Sequence, residues 1–86
     1  MSEPLDMAGE APAFAQEVDA SGLSCPLPIL RAKKALAQME SGQVLHVITT
    51  DPKAGKDFQA FANQTGNVLV AQTAEADRAH HYLRRR

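Results

Sequence analysis

The sequence predicts an α/β fold: a two-layer α+β sandwich of order β-α-β-α-β-β, with two helices packed on a mixed four-stranded sheet. Three observations carry this. Two stretches, Pro26 to Glu40 and Pro52 to Thr65, repeat apolar residues at spacings of three and four, the period of a helix with one buried face. Short runs rich in Val, Ile, Leu and Thr separate and follow them, as strands do. Two successive strand–helix–strand units imply right-handed crossovers, and the last two runs close as a hairpin.

Each element has its own justification. Residues 1–13 mix Pro, Gly, Ala and acidic side chains without periodicity, so a disordered tail is expected there and a single domain over residues 14–86. FAQEVDA then alternates, with Phe14, Val18 and Ala20 on one side and Glu17 and Asp19 on the other, which predicts a strand with one buried face. In the first helix Ile29, Ala32, Leu36 and Met39 form the apolar face, with Arg31, Lys34 and Gln38 on the other side. Ser41-Gly42 should end it, Gly supplying a left-handed cap. QVLHVITT is apolar on both faces, which predicts a central strand. Asp51-Pro52 reads as a helix start, Asp as N-cap and Pro in the first helical position, and this capping accounts for Asp51. Ala54, Phe58, Phe61, Ala62 and Thr65 share one face of the second helix, which stops at Gly66. NVLVAQTA is the third strand, AEADRA a turn, and HHYLRRR a terminal edge strand. Arg84 to Arg86 are either a frayed basic end that deters edge pairing or part of a partner surface.

Composition narrows the function. With 86 residues and 44% hydrophobic side chains, the chain can build one small core without staples. Its single cysteine cannot form an internal disulfide, which fits a reducing compartment. The net charge of −1 creates no global field toward nucleic acid or a membrane surface. MSEPLDMAGEAP lacks the basic and apolar regions of a signal peptide, and no run approaches the roughly 18 apolar residues of a membrane span. A cytoplasmic protein with no membrane partner is expected.

The chemistry concentrates in SGLSCPLPILRAKKAL, residues 21–36. The first four N–H groups of a helix have no intrahelical partner, so Pro26 and Pro28 remove donors that the helix would not use. Pro26 also biases Cys25 away from helical angles, as suits an N-cap. A thiolate at a helix N-terminus is stabilised by the dipole and titrates below ~8.5, the ordinary thiol value. A free cysteine can equally be a small buried hydrophobe; the helix-start position and the prolines favour reactivity. Without Cys-x-x-Cys no internal dithiol cycle exists. His46, His80 and His81 have no spacing that ties them to Cys25 as a hydrolytic base. There remains chemistry that one thiolate performs with an external partner: accepting a group, holding it and passing it on. His80-His81 lack further ligands at metal-site spacing, so no metal is expected.

Together DASGLSCPLPILRAKKAL, TTDPKAGKDFQAF and the closing YLRRR resemble the TusA/SirA-like sulfur-carrier family. The resemblance spans residues 17–86 and centres on Cys-Pro-x-Pro with Gly22-Leu23 before it and Asp51-Pro52 after it. It implies the two-layer sandwich and a persulfide carried on Cys25, with Gly22, Pro26 and Pro28 as motif support. It also implies a cysteine desulfurase or rhodanese-type donor and a downstream acceptor protein. No cofactor is implied beyond the covalent persulfide, and little turnover is expected without partners. The well-studied tRNA-thiolation members resemble Cys-Pro-Glu-Pro, whereas this chain has Leu27 between the prolines. That leaves tRNA thiolation, cofactor biosynthesis and sulfur metabolism open as pathways.

Arg31, Lys33 and Lys34 give the first helix a basic side. It is either an ordinary solvated face or, with Leu27, a docking surface for acidic partners. Direct nucleic-acid contact is disfavoured by the few aromatics and the slightly negative charge. The rival to a sulfur carrier is a non-catalytic protein- or RNA-interaction module of the same fold.

Overall fold

A computed structural model describes residues 12–86, where the apolar periodicities become four strands and two helices. They are β1 (Gln16–Ala20), α1 (Leu27–Ala37), β2 (Val44–Thr49), α2 (Ala54–Thr65), β3 (Val68–Ala74) and β4 (Ala79–Arg84). The tail expected over 1–13 lies, as far as residue 11, outside the described residues. Both helices cover one face of a single mixed sheet, as predicted.

The strands lie in the order β1-β2-β4-β3, with β1 parallel to β2 and β4 antiparallel to both neighbours. The C-terminal run is therefore an interior strand and not the expected edge. The α2 crossover leaves a gap between β2 and β3, and the hairpin after β3 folds β4 back into it. The consecutive buried residues His81, Tyr82 and Leu83 suit such a doubly paired strand. The arginines that follow are not frayed. Arg84 pairs across to Val44 and Val68. Arg85 N–H donates to the Gln43 carbonyl at 2.8 Å, and Arg86 N–H donates to Asn67 Oδ1 at 3.0 Å.

The core lies between sheet and helices. Leu45, Val47 and Leu83 from the sheet meet Ala32 and Leu36 of α1 and Ala54, Phe58 and Phe61 of α2. His81 is buried among them with its polar atoms satisfied. Its ring stacks on Phe58 at 4.7 Å. Gln72 Nε2 donates to its Nδ1 at 2.9 Å, so its Nε2–H donates to Thr49 Oγ1 at 2.8 Å. Burial pushes its pKa down to about 4.

The other sheet face carries a polar and aromatic array. His46 stacks on Tyr82 at 4.5 Å, and a hydrogen-bonded chain runs Glu17–His46–His80–Glu75 at 3.2, 2.9 and 2.8 Å. Phe14 rests here against His46 at 4.9 Å, not beside Val18 and Ala20 as the alternation predicts. It precedes β1, so the two-residue period of the strand does not fix its side.

Both helix boundaries differ from expectation at one end. α1 stops at Ala37, where Gln38 and Met39 N–H groups bond three residues back and tighten the chain. Met39 stays buried, while Gly42 lies in the following turn and not at the cap. α2 begins after Lys53, not Asp51, but ends as predicted at a left-handed Gly66 whose N–H reaches the Ala62 carbonyl at 2.9 Å.

Candidate functional site

Parallel pairing of β1 and β2 places the segments that follow them side by side, at the same end of the sheet. One contains Cys25, the other Thr50 and Asp51. Two hydrogen bonds join them. Gly22 N–H donates to Thr50 Oγ1 and Cys25 N–H to Asp51 Oδ2, both at 2.8 Å. Gly22 turns the chain at φ 79°, a conformation that side-chain-bearing residues rarely adopt, which explains its place before the motif. Asp51 also accepts the Lys53 N–H through Oδ1 at 3.0 Å. Its role is thus wider than the capping inferred from sequence: it is not the N-cap, and it ties the start of α2 to the cysteine turn.

Cys25 is exposed and stands one residue before the N-cap, which is Pro26. Pro28 is buried, whereas Pro26 faces solvent. Leu27 N–H is taken by the Ser24 carbonyl at 2.9 Å and Leu30 N–H by the Pro26 carbonyl at 3.1 Å. Since neither proline has a donor, Ile29 alone keeps a first-turn N–H without a partner among the described residues. The helix start offers little to an anion.

Carboxylates further modify the thiol. The Asp57 carboxylate in the first turn of α2 is the leading influence: hydrogen bonding toward it, desolvation and the negative charges of Asp57 and Asp51 push the thiol pKa up. Lys53 offsets this in part. The lowered thiol pKa expected from the helix dipole is therefore reversed. Sequence spacing gives no warning of Asp57, because its approach depends on how α2 packs beside α1. Adjacent parallel strands were the available clue to Thr50 and Asp51.

The expected docking residues separate into two groups. Leu27, Arg31 and Lys34, joined by Leu30, follow three- and four-residue spacings and form one stripe leading away from the thiol. Leu27 and Leu30 are 46% and 53% exposed, an apolar pair that needs cover from elsewhere to be buried. Sequence reading missed Leu30. Lys33 lies round the helix from this stripe and lines a groove with Arg85 and Arg86. His80 and His81 point to opposite sheet faces. Among the described residues no group of three or more His, Cys, Asp or Glu is placed to hold a metal ion, and no helix is long and apolar enough to cross a membrane.

Fold and site together define a small two-layer α/β domain that presents one thiol on a turn held by two hydrogen bonds. A solved structure of this class, the SirA-like protein from Desulfitobacterium hafniense, matches with a TM-score of 0.68 and 27% identity, over 81% of this chain and 96% of that one. The family model described as sulfurtransferase TusA matches residues 16–85, from the first residue of β1 to just past β4. The chain is 61% identical over 72 residues to the sulfur carrier protein TusA of Allochromatium vinosum, covering 84% of this chain and 95% of that protein. It is 35% identical over 69 residues to the sulfur carrier protein TusA of Pseudomonas entomophila, covering 80% and 86%. The chain belongs to the TusA sulfurtransferase family.

Proposed function

We propose that this protein is a sulfur carrier that holds persulfide sulfur on Cys25 and relays it between larger partner proteins. The observation that carries the reading is Cys25 itself: the only thiol of a TusA-family chain, exposed, and held by backbone contacts at the start of α1.

The Cys25 thiolate attacks the outer sulfur of a donor persulfide, such as that of a cysteine desulfurase or rhodanese-type protein. A bond forms from Cys25 Sγ to that sulfur, and the donor's sulfur–sulfur bond breaks to release the donor thiolate. The acceptor's thiolate then repeats the exchange on the Cys25 persulfide and regenerates Cys25. Each step exchanges one sulfur–sulfur bond for another, so no outside oxidant or cofactor enters. Asp57 and Asp51 keep the resting thiol protonated, which guards it in solution, and activation falls to the partner's groups in the complex. A bound persulfide is more acidic than the thiol, so it is anionic in the same surroundings. With a single spare N–H in the first turn to hold it, the sulfur stays transferable. Leu27 and Leu30 supply apolar contact beside the sulfur, while Arg31 and Lys34 attract an acidic partner surface.

Labelled sulfur tests this reading. With a cysteine desulfurase and radiolabelled cysteine, label should appear on the wild-type chain and move to an added acceptor thiol protein. A non-catalytic interaction module of the same fold would bind partners without ever acquiring label.

A further inference from the structure

At the far end of α1 from the thiol, a groove of about 240 Å³ runs between the two helices and the chain that follows β4. Its walls are Lys33 and Ala37 of α1, Thr65 and Asn67 at the end of α2, and Arg85 and Arg86, over the buried side chains of Leu36 and Phe61. Three of these residues are cationic and none is acidic. Among the described residues no carboxylate lies within ion-pair distance of Lys33, Arg85 or Arg86.

Two of the three cations are positioned by the fold. Arg85 donates through Nη1 to the carbonyl of Met39, just past the end of α1, and keeps its other guanidinium donors. Arg86 lies over Gly66, where an added Cβ would come within 3.0 Å of Arg86 Cδ and 3.1 Å of Nη1. Gly66 thus admits the arginine as well as capping α2. A guanidinium at that helix end also neutralises the carbonyl dipoles that would otherwise repel an anion. Two planar forks and an ammonium lining one groove, with no acidic side chain beside them, match the oxygens of a tetrahedral dianion.

From this we infer that the Lys33–Arg85–Arg86 groove is a binding site for a phosphate group. Its volume is below the roughly 300–1,000 Å³ of pockets that enclose whole small molecules, so it takes the group and not a large body attached to it. Lys33 is six positions beyond Leu27, the first residue of α1, about 9 Å along the helix axis, and Cys25 lies two residues further back, so an occupied groove leaves the thiol open. The phosphate could be the free ion or one presented by a polynucleotide, and the test separates these.

Amide NMR spectra of the full chain are recorded during titration with inorganic phosphate at constant ionic strength, with chloride as reference, and separately with a short oligouridylate. Saturable shifts confined to Lys33, Gly66, Asn67, Arg85 and Arg86 with inorganic phosphate support the site with the free ion as ligand. The same localised shifts with the oligouridylate alone support it with a polymer as the source. Arg86→Gln and Lys33→Gln, both at exposed positions, should each weaken binding about tenfold, the loss of one charge-assisted contact. Shifts that chloride reproduces, that spread over all basic residues, or that persist unchanged in both variants would overturn the assignment.

Discussion

The backbone N–H of Cys25 donates to a carboxylate oxygen of Asp51 at 2.8 Å, although 26 positions separate the two residues. The same carboxylate accepts the Lys53 N–H, and these two bonds hold its pKa below the ordinary aspartate value, the Lys53 bond contributing most. Asp51→Ala should therefore lower Tm, and Asp51→Asn, which keeps an acceptor oxygen, should lower it less. For a carboxyl with a depressed folded pKa the stabilisation is present above the unfolded value, ~3.9, and is lost as pH falls through the folded one. The Tm gap between wild type and Asp51→Ala should be full at neutral pH and close in strong acid, as followed by circular dichroism.

Asp57 governs the thiol more directly. Its carboxylate is the leading cause of the upward shift at Cys25, through hydrogen bonding and through its charge. Asp57→Asn removes the charge at nearly constant shape, so alkylation of Cys25 by iodoacetamide at neutral pH should be faster than in wild type. The whole rate–pH profile should move to lower pH. An unmoved profile would mean that the carboxylate does not restrain the thiol.

His81 should dominate the acid side of the stability curve. Its folded pKa of about 4 lies below the ordinary 6.5, so between those values the unfolded chain binds the extra proton. Stability is full above pH 6.5 and falls as pH drops toward 4, by about 3 kcal/mol in all. Urea unfolding from pH 7.5 to 4 measures this. His81→Phe, which retains an aromatic ring against Phe58, should start less stable because Thr49 loses its partner, yet show a flatter pH dependence.

Leu27 and Leu30 should affect transfer without affecting the thiol. Covering a half-exposed leucine at roughly 25 cal/mol per Å² contributes about 1 kcal/mol, close to a fivefold change in transfer kcat/KM. Leu27→Glu should lose at least that much with the natural partner, while Cys25 still reacts with a small alkylating agent. Reversing Arg31 and Lys34 to Glu should slow encounter most at low salt. Reversing Lys33, which lines the groove with Arg85 and Arg86, should do so less.

The sequence is most informative where one local rule decides. The helix periods of α1 and α2, the Gly66 stop and the central place of β2 depend on side-chain spacing and glycine chemistry alone. Cys25 was legible as the site because a lone thiol beside two prolines is informative without tertiary knowledge. What escaped depends on contacts distant in sequence. β4 is interior because the second crossover leaves it a gap, a fact of topology that no property of HHYLRRR states by itself. Asp57 raises the thiol pKa through packing of α2 beside the cysteine turn, which outweighs the local helix-start effect. Lys33 parts from Arg31 and Lys34 to join Arg85 and Arg86, which lie more than 50 positions on.

Sulfur carriage on Cys25 is tested most directly by intact mass after incubation with a cysteine desulfurase and cysteine. Wild-type protein should gain the mass of one sulfur atom and lose it again with dithiothreitol. Cys25→Ser should gain nothing while its circular dichroism spectrum and Tm stay close to wild type, since the thiol is exposed and outside the core. Sulfur gained by folded Cys25→Ser, or none gained by wild type from any competent desulfurase or rhodanese-type donor, would contradict it.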